Sequence, residues 1–171
     1  ETLKDMEPGP EAVQLLQEIV KRWAGMDPKA AADYTMSLPS LRLRGSLMNS
    51  VVDTWAKTDL NATVAYVSSI ASQRTRSVVM NTLIDAWSLA DPKAALTWLR
   101  ENGQGDHRTL ATCTATLFQN MARQDVDQAL AQVWGLSDWG MKRAAMRSVA
   151  AELARTKKAE VLLNAFGQMA A

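Results

Sequence analysis

The sequence predicts an all-α chain, an α–α superhelix (solenoid) of about five helical hairpins with a repeat of ~32 residues. Three observations predict it. The chain aligns with itself at a nearly constant offset. Each unit has an aromatic or large apolar anchor, followed four residues later by Asp in the first four units. Upstream of each anchor, apolar residues recur at helical spacing, and no strand-like alternation persists.

The self-alignment rests on five segments: IVKRWAGMDPKAAADY from Ile19, VVDTWAKTDLNATVAY from Val51, LIDAWSLADPKAALTW from Leu83, LFQNMARQDVDQALAQ from Leu117 and VAAELARTKKAEVLLN from Val149. Successive offsets are 32, 32, 34 and 32 residues. The anchors are Trp23, Trp55, Trp87, Met121 and Leu153, and the following acids are Asp27, Asp59, Asp91 and Asp125. Lys157 stands at that place in the fifth unit, which is degenerate. The units lie near residues 10–40, 41–72, 73–106, 107–138 and 139–171 of a single repeat domain spanning 1–171.

Apolar residues sit 8, 7, 4 and 3 positions before the anchor. They are Leu47, Met48, Val51 and Val52 in the second unit, and Val79, Met80, Leu83 and Ile84 in the third. That spacing makes one stripe of an α-helix, so each unit opens with a long helix of about 15 residues, the first beginning near Pro10. Asp then ends it and caps the next helix, because its carboxylate accepts from the orphan amides of a helix start. Asp27-Pro28 and Asp91-Pro92 add a proline at the first helical position, where its missing N–H costs nothing. A shorter, Ala-rich helix follows (Ala30, Ala31 and Tyr34; Ala94, Ala95 and Trp98), whose small residues permit close approach. Gly and Pro fall mainly at joints: Pro39, Gly103, Gly105, Gly135 and Gly140. The two-residue insertion of the third unit falls in a loop around 102–106, where length is cheap.

The fragment A-D-P-K-A-A-L-T-W-L, Ala90 to Leu99, resembles the turn and second helix of tetratricopeptide-like α-solenoids, with HEAT-like arrays as the nearest alternative. The architectural resemblance covers the chain from Glu11 onward. The Gly and Tyr of the first tetratricopeptide helix are not in place, and the period is shorter than the usual ~34. The W-x3-D-P-x-A-A pattern also looks like degenerate repeats of uncharacterised bacterial proteins. The resemblance implies binding of a protein or peptide along a curved surface.

Composition bounds the function. Of 171 residues 47% are apolar and 22% charged, which supports a packed core and argues against disorder. Lys plus Arg is 19 against 18 Asp plus Glu, so the basic excess of a typical nucleic-acid binder is missing. One cysteine, Cys113, cannot form an internal disulfide and leaves the compartment open; it occupies a stripe position and reads as a buried small hydrophobe. The single histidine, His107, lies in the inserted loop and reads as exposed. No nucleophile-plus-base set, Gly-rich phosphate loop, H-E-x-x-H or G-x-S-x-G occurs, so the expectation is a protein that is not an enzyme and takes no cofactor and no metal. No apolar run of 18 residues spans a membrane. A start at Glu1 rather than Met points to processing or to a piece of a longer protein.

The polar stripe of the long helices supplies the candidate site. Positions 13, 9, 6 and 2 before the anchor share one face. They carry Arg42, Asn49 and Asp53 in the second unit, Arg74, Asn81 and Asp85 in the third, Arg108 in the fourth and Arg147 in the fifth. The functional reading is a groove for an extended peptide, with Asn49 and Asn81 bonding its backbone and the arginines meeting carboxylates. The structural reading is that Asn pairs with a neighbouring helix, Arg caps a loop and the Asp residues meet solvent. A second basic row, Arg44, Arg76 and Lys142, points elsewhere. Trp23, Trp55 and Trp87 belong to core packing, whereas Trp134 and Trp139 are partly exposed. A last helix near 158–170, with Val161, Leu162, Leu163, Phe166 and Met169, carries more apolar surface than one face needs. It suggests a longer array or self-association. The leading class is therefore a binding scaffold, then a structural spacer or assembly segment of a larger protein, then a nucleic-acid-binding helical repeat.

Overall fold

The computed structural model describes residues 9–103 and 106–155, and every regular element among them is an α-helix. In order these are α1 (Pro10–Met26), α2 (Pro28–Ser37), α3 (Leu41–Thr58), α4 (Leu60–Ser69), α5 (Gln73–Ala90), α6 (Pro92–Asn102), α7 (His107–Gln124), α8 (Val126–Trp134) and α9 (Trp139–Arg155). Helices of 17 or 18 residues alternate with helices of 9 to 11.

The alternation has a local cause. Asp27, Asp59, Asp91 and Asp125 are each the one non-helical residue between a long helix and a short one. The main-chain amide of each closes the preceding helix, donating to the carbonyl of Trp23, Trp55, Trp87 or Met121 at 2.7–2.8 Å. The carboxylate opens the next, accepting from the amides of Ala30 (3.0 Å), Ala62 (2.9 Å), Ala94 (3.0 Å) and Gln128 (3.0 Å). One residue thus satisfies an orphan carbonyl of the helix before the break and an orphan amide of the helix after it. The long helices after α1 begin on caps of the same kind: Ser40, Ser72, Asp106 and Asp138 accept from Leu43, Thr75, Thr109 and Met141.

The described helices fall into two compact units, one ending at Leu83 and the other beginning at Ile84, so the boundary lies within α5. In the first unit α1 packs on α2 and α3, α2 on α3, and α3 on α4. The predicted stripe of α3 is its core: Leu47, Met48, Val51 and Val52 are all buried. Each such side chain contributes roughly 1.5–3 kcal/mol by leaving water. The start of α5 lies against α3 where Gly45 is buried; a Cβ there would stand 3.0 Å from Val78 Cγ1. One turn further on, Thr82 Oγ1 donates to Asn49 Oδ1 at 2.9 Å. Both contacts join residues 33 positions apart, which sets these segments side by side and parallel. The stripe of α1 differs. Leu15 and Ile19, which the spacing places with the core, are 64% and 53% exposed; among the described residues of this unit α1 packs on α2 and α3, and these two side chains lie off that contact.

In the second unit α7 packs on α6, α8 and α9, and α8 on α9. Cys113, Thr114, Leu117 and Phe118 fill the stripe of α7, with Val149 and Leu153 of α9 buried as well. Gly103 ends α6 where no side chain fits: a Cβ would lie 2.6 Å from both the Leu99 carbonyl and Leu110 Cδ1. Gly140, expected at a joint, lies inside the first turn of α9. The expected last helix and Lys157 lie outside the described residues.

The tryptophan anchors are more specific than core filling. Trp23 meets Tyr34, Trp55 meets Tyr66 and Trp87 meets Trp98, with ring centroids 5.5, 5.3 and 5.9 Å apart and tilts of 48–52°. Each pair joins the end of a long helix to the following short helix across an Asp break, at a sequence separation of 11. Trp55 is buried, but Trp23 and Trp87 are half-buried, since one face packs on the partner ring while the other reaches the surface. Replacing Asp91 by Ala removes the break's cap and should lower the unfolding free energy by about 1 kcal/mol in urea titration. An unchanged midpoint would show that the aromatic pair alone sets the turn.

Candidate binding surface

Arg42, Arg74 and Arg108 are each the second residue of a long helix, α3, α5 and α7. All three are exposed, and among the described residues none has a side-chain hydrogen bond or an ion pair. The first turn of a helix is the positive end of its dipole, so a cation there is disfavoured by roughly 0.3–1 kcal/mol. Helix stability therefore does not account for an arginine at this position. Arg42 also lines a cleft of about 470 Å³ between α1 and α3. Val13 and Leu43 give it apolar walls, and Gln17 Nε2 donates to Ser46 Oγ at 2.6 Å within it. Among the described residues Arg42 is the one charged residue of that lining.

The other members of the predicted stripe divide differently. Asn49 ties α3 to α5 through Thr82. Asp53 pairs with Lys57 one turn on, at 2.7 Å, an exposed contact that water screens. Asn81 is half-buried. Asp85 accepts at 2.9 Å from the buried amide of Asn120, which also donates to Ser88 Oγ at 2.8 Å. Asn49 and Asp85 thus act as ties between helices. Arg147 is exposed on α9, on one face with Trp139 and Arg143 at spacings of four residues.

The second basic row has a structural use. Arg44 Nε donates to the Leu38 carbonyl at 3.1 Å, and Arg76 Nη1 to the Ile70 carbonyl at 3.4 Å. Leu38 and Ile70 are the C-caps of α2 and α4, so each arginine satisfies a carbonyl the preceding short helix leaves open. Lys142 lies 5.5 Å from the centre of the Trp134 ring, a cation–π contact. Tyr66 was not singled out by sequence: its hydroxyl donates to Asp33 Oδ1 at 2.9 Å, and Lys29 holds the other carboxylate oxygen at 2.7 Å. The Lys29 hydrogen bond, followed by that of Tyr66, holds the Asp33 carboxyl below its ordinary value, while burial and then Asp33 raise the Tyr66 phenol. Periodicity could not show this tie because it links surface positions of two short helices.

Cys113 is fully buried, and that burial pushes its thiol up to about 12, which makes it a poor nucleophile. His107 is exposed as the first residue of α7. Among the described residues no group of three His, Cys, Asp or Glu is placed to hold a metal ion, and no helix is long and apolar enough to cross a membrane. Compared with known protein families, with curated proteins and with solved structures, the chain matches none.

A buried carboxylate joins α7 to α9. Glu152 is 4% exposed and pairs with Arg123 of α7 at 3.5 Å and with Arg155 of its own helix. The Arg155 hydrogen bond, above all, holds its carboxyl below the usual value. A carboxylate whose folded value lies below its unfolded one stabilises fully above the unfolded value of about 4.3 and loses that contribution as pH falls through the folded one. Glu152→Gln should therefore melt below the wild type at about pH 7, with the gap narrowing as pH falls below the unfolded value of about 4.3. A gap independent of pH in thermal melts would contradict this assignment.

Proposed function

We propose that the chain is an α-solenoid of helical hairpins, tetratricopeptide-like or HEAT-like in architecture, and that it acts as a non-catalytic scaffold for an acidic protein or peptide segment. The alternation of long and short helices, the recurrent Asp break and the recurrent aromatic pair support the architecture. One observation carries the functional reading: Arg42, Arg74 and Arg108 recur at the second position of successive long helices, exposed and without a partner among the described residues. A guanidinium in that state offers a planar fork of donors that matches carboxylate geometry. The cleft beside Arg42 adds apolar walls for a neighbouring side chain of the ligand.

A second reading, a spacer or assembly segment, draws on Asn49 and Asp85, whose polar groups tie helices together. The two readings part on the arginines. Affinity capture with the wild type and with the R42E/R74E/R108E variant, both checked for equal helicity, should yield ligands that only the wild type holds. Identical captured sets would favour the spacer. Binding of nucleic acid that falls steeply with salt would favour the third class.

A further inference from the structure

The outward face of α9 carries a separate constellation. Trp139 is 72% exposed, the most exposed aromatic side chain among the described residues. Arg143 and Arg147 follow it at intervals of four, so the three share one helix face at steps of about 5–6 Å. Both arginines are exposed, and neither makes a hydrogen bond or an ion pair among the described residues. Lys142, next to Arg143 in sequence, holds its ammonium over the ring of Trp134, itself 36% exposed. Asp138, beside Trp139, caps α9, accepting from the Met141 amide at 2.7 Å, and pairs with neither arginine among the described residues. The other acid of α9, Glu152, is already paired with Arg123 and Arg155.

We propose that this face of α9 docks an acidic segment of a partner protein, with Trp139 as the apolar anchor and Arg143 and Arg147 as the charge readers. The assignment rests on charge complementarity and residue type. Two guanidinium groups one turn apart can donate to two carboxylates at the spacing of acidic residues along a helix or extended strand. Tryptophan and arginine are the residues that most often dominate the centre of protein interfaces. A single-stranded nucleic acid would use the same two chemistries, stacking and charge. The near balance of 19 basic against 18 acidic residues in the chain favours the protein segment. The proposal is independent of the Arg42, Arg74 and Arg108 row.

The test uses the full chain and a fluorescein-labelled 12-residue peptide of glutamates with one central phenylalanine, read by fluorescence anisotropy. Three controls accompany it: the same peptide with Gln for Glu, an unstructured dT12 oligonucleotide, and the R42E/R74E/R108E variant. The proposal expects the acidic peptide to bind at least about tenfold more tightly than its Gln counterpart and than dT12. In the R42E/R74E/R108E background, which removes whatever the other arginines contribute, the peptide should still bind, and W139A and R143E/R147E should each weaken that binding at least about tenfold. Both α9 changes lie on exposed positions, and helicity by circular dichroism checks that folding is retained. No binding of the acidic peptide, preference for dT12, or binding insensitive to both α9 variants would overturn the proposal. Loss in the R42E/R74E/R108E variant alone would assign the peptide to the other row and overturn it equally.

Discussion

The structure depends on a single-residue break performed by aspartate. A helix cannot end and restart within one residue unless that residue supplies both a donor to the last turn and an acceptor to the first. Asp27, Asp59, Asp91 and Asp125 do both, with the amide facing back and the carboxylate forward. The geometry that results folds the short helix beside the long one, which is what brings Trp23 to Tyr34, Trp55 to Tyr66 and Trp87 to Trp98. Serine or aspartate then caps the start of the next long helix, and in two cases an arginine from that helix closes the end of the short one.

This arrangement divides polar groups by use. Side chains close to helix ends are spent on capping, and those midway along the long helices tie neighbours together, as Asn49 with Thr82 and Asn120 with Asp85 and Ser88. No buried side-chain nitrogen or oxygen among the described residues lacks a partner, which is what a low-dielectric interior demands. Arg42, Arg74 and Arg108, and on α9 Arg143 and Arg147, stand outside this economy. Their charges are exposed and unspent, and the first three sit where the helix dipole disfavours them. A residue type maintained against local stability is the natural place to look for function.

The helices, their lengths and their breaks were legible because they follow local rules: period 3.6 in the stripe of α3 and α5, and a capping acid four residues after each Trp. The polar stripe was only partly legible. Spacing places Arg42, Asn49 and Asp53 on one face but cannot say that Asn49 meets Thr82, since that depends on how closely Gly45 lets α3 and α5 approach. The exposure of Leu15 and Ile19 was hidden for the same reason, because α1 carries a core-type stripe and what covers a stripe is a tertiary matter. Nothing in the periodicity marks Glu152, one position before the Leu153 anchor, and only packing of α7 on α9 reveals it as buried and doubly paired.

The central proposal is that the arginines at the long-helix starts serve binding rather than folding. The most direct measurement is the unfolding free energy of the R42A/R74A/R108A variant in urea. The account predicts that stability is kept or raised, by up to about 1 kcal/mol per site, because each change removes a cation from the positive end of a helix. A clear loss of stability would contradict it, showing that the arginines hold the fold together and leaving no reason to assign them to a ligand.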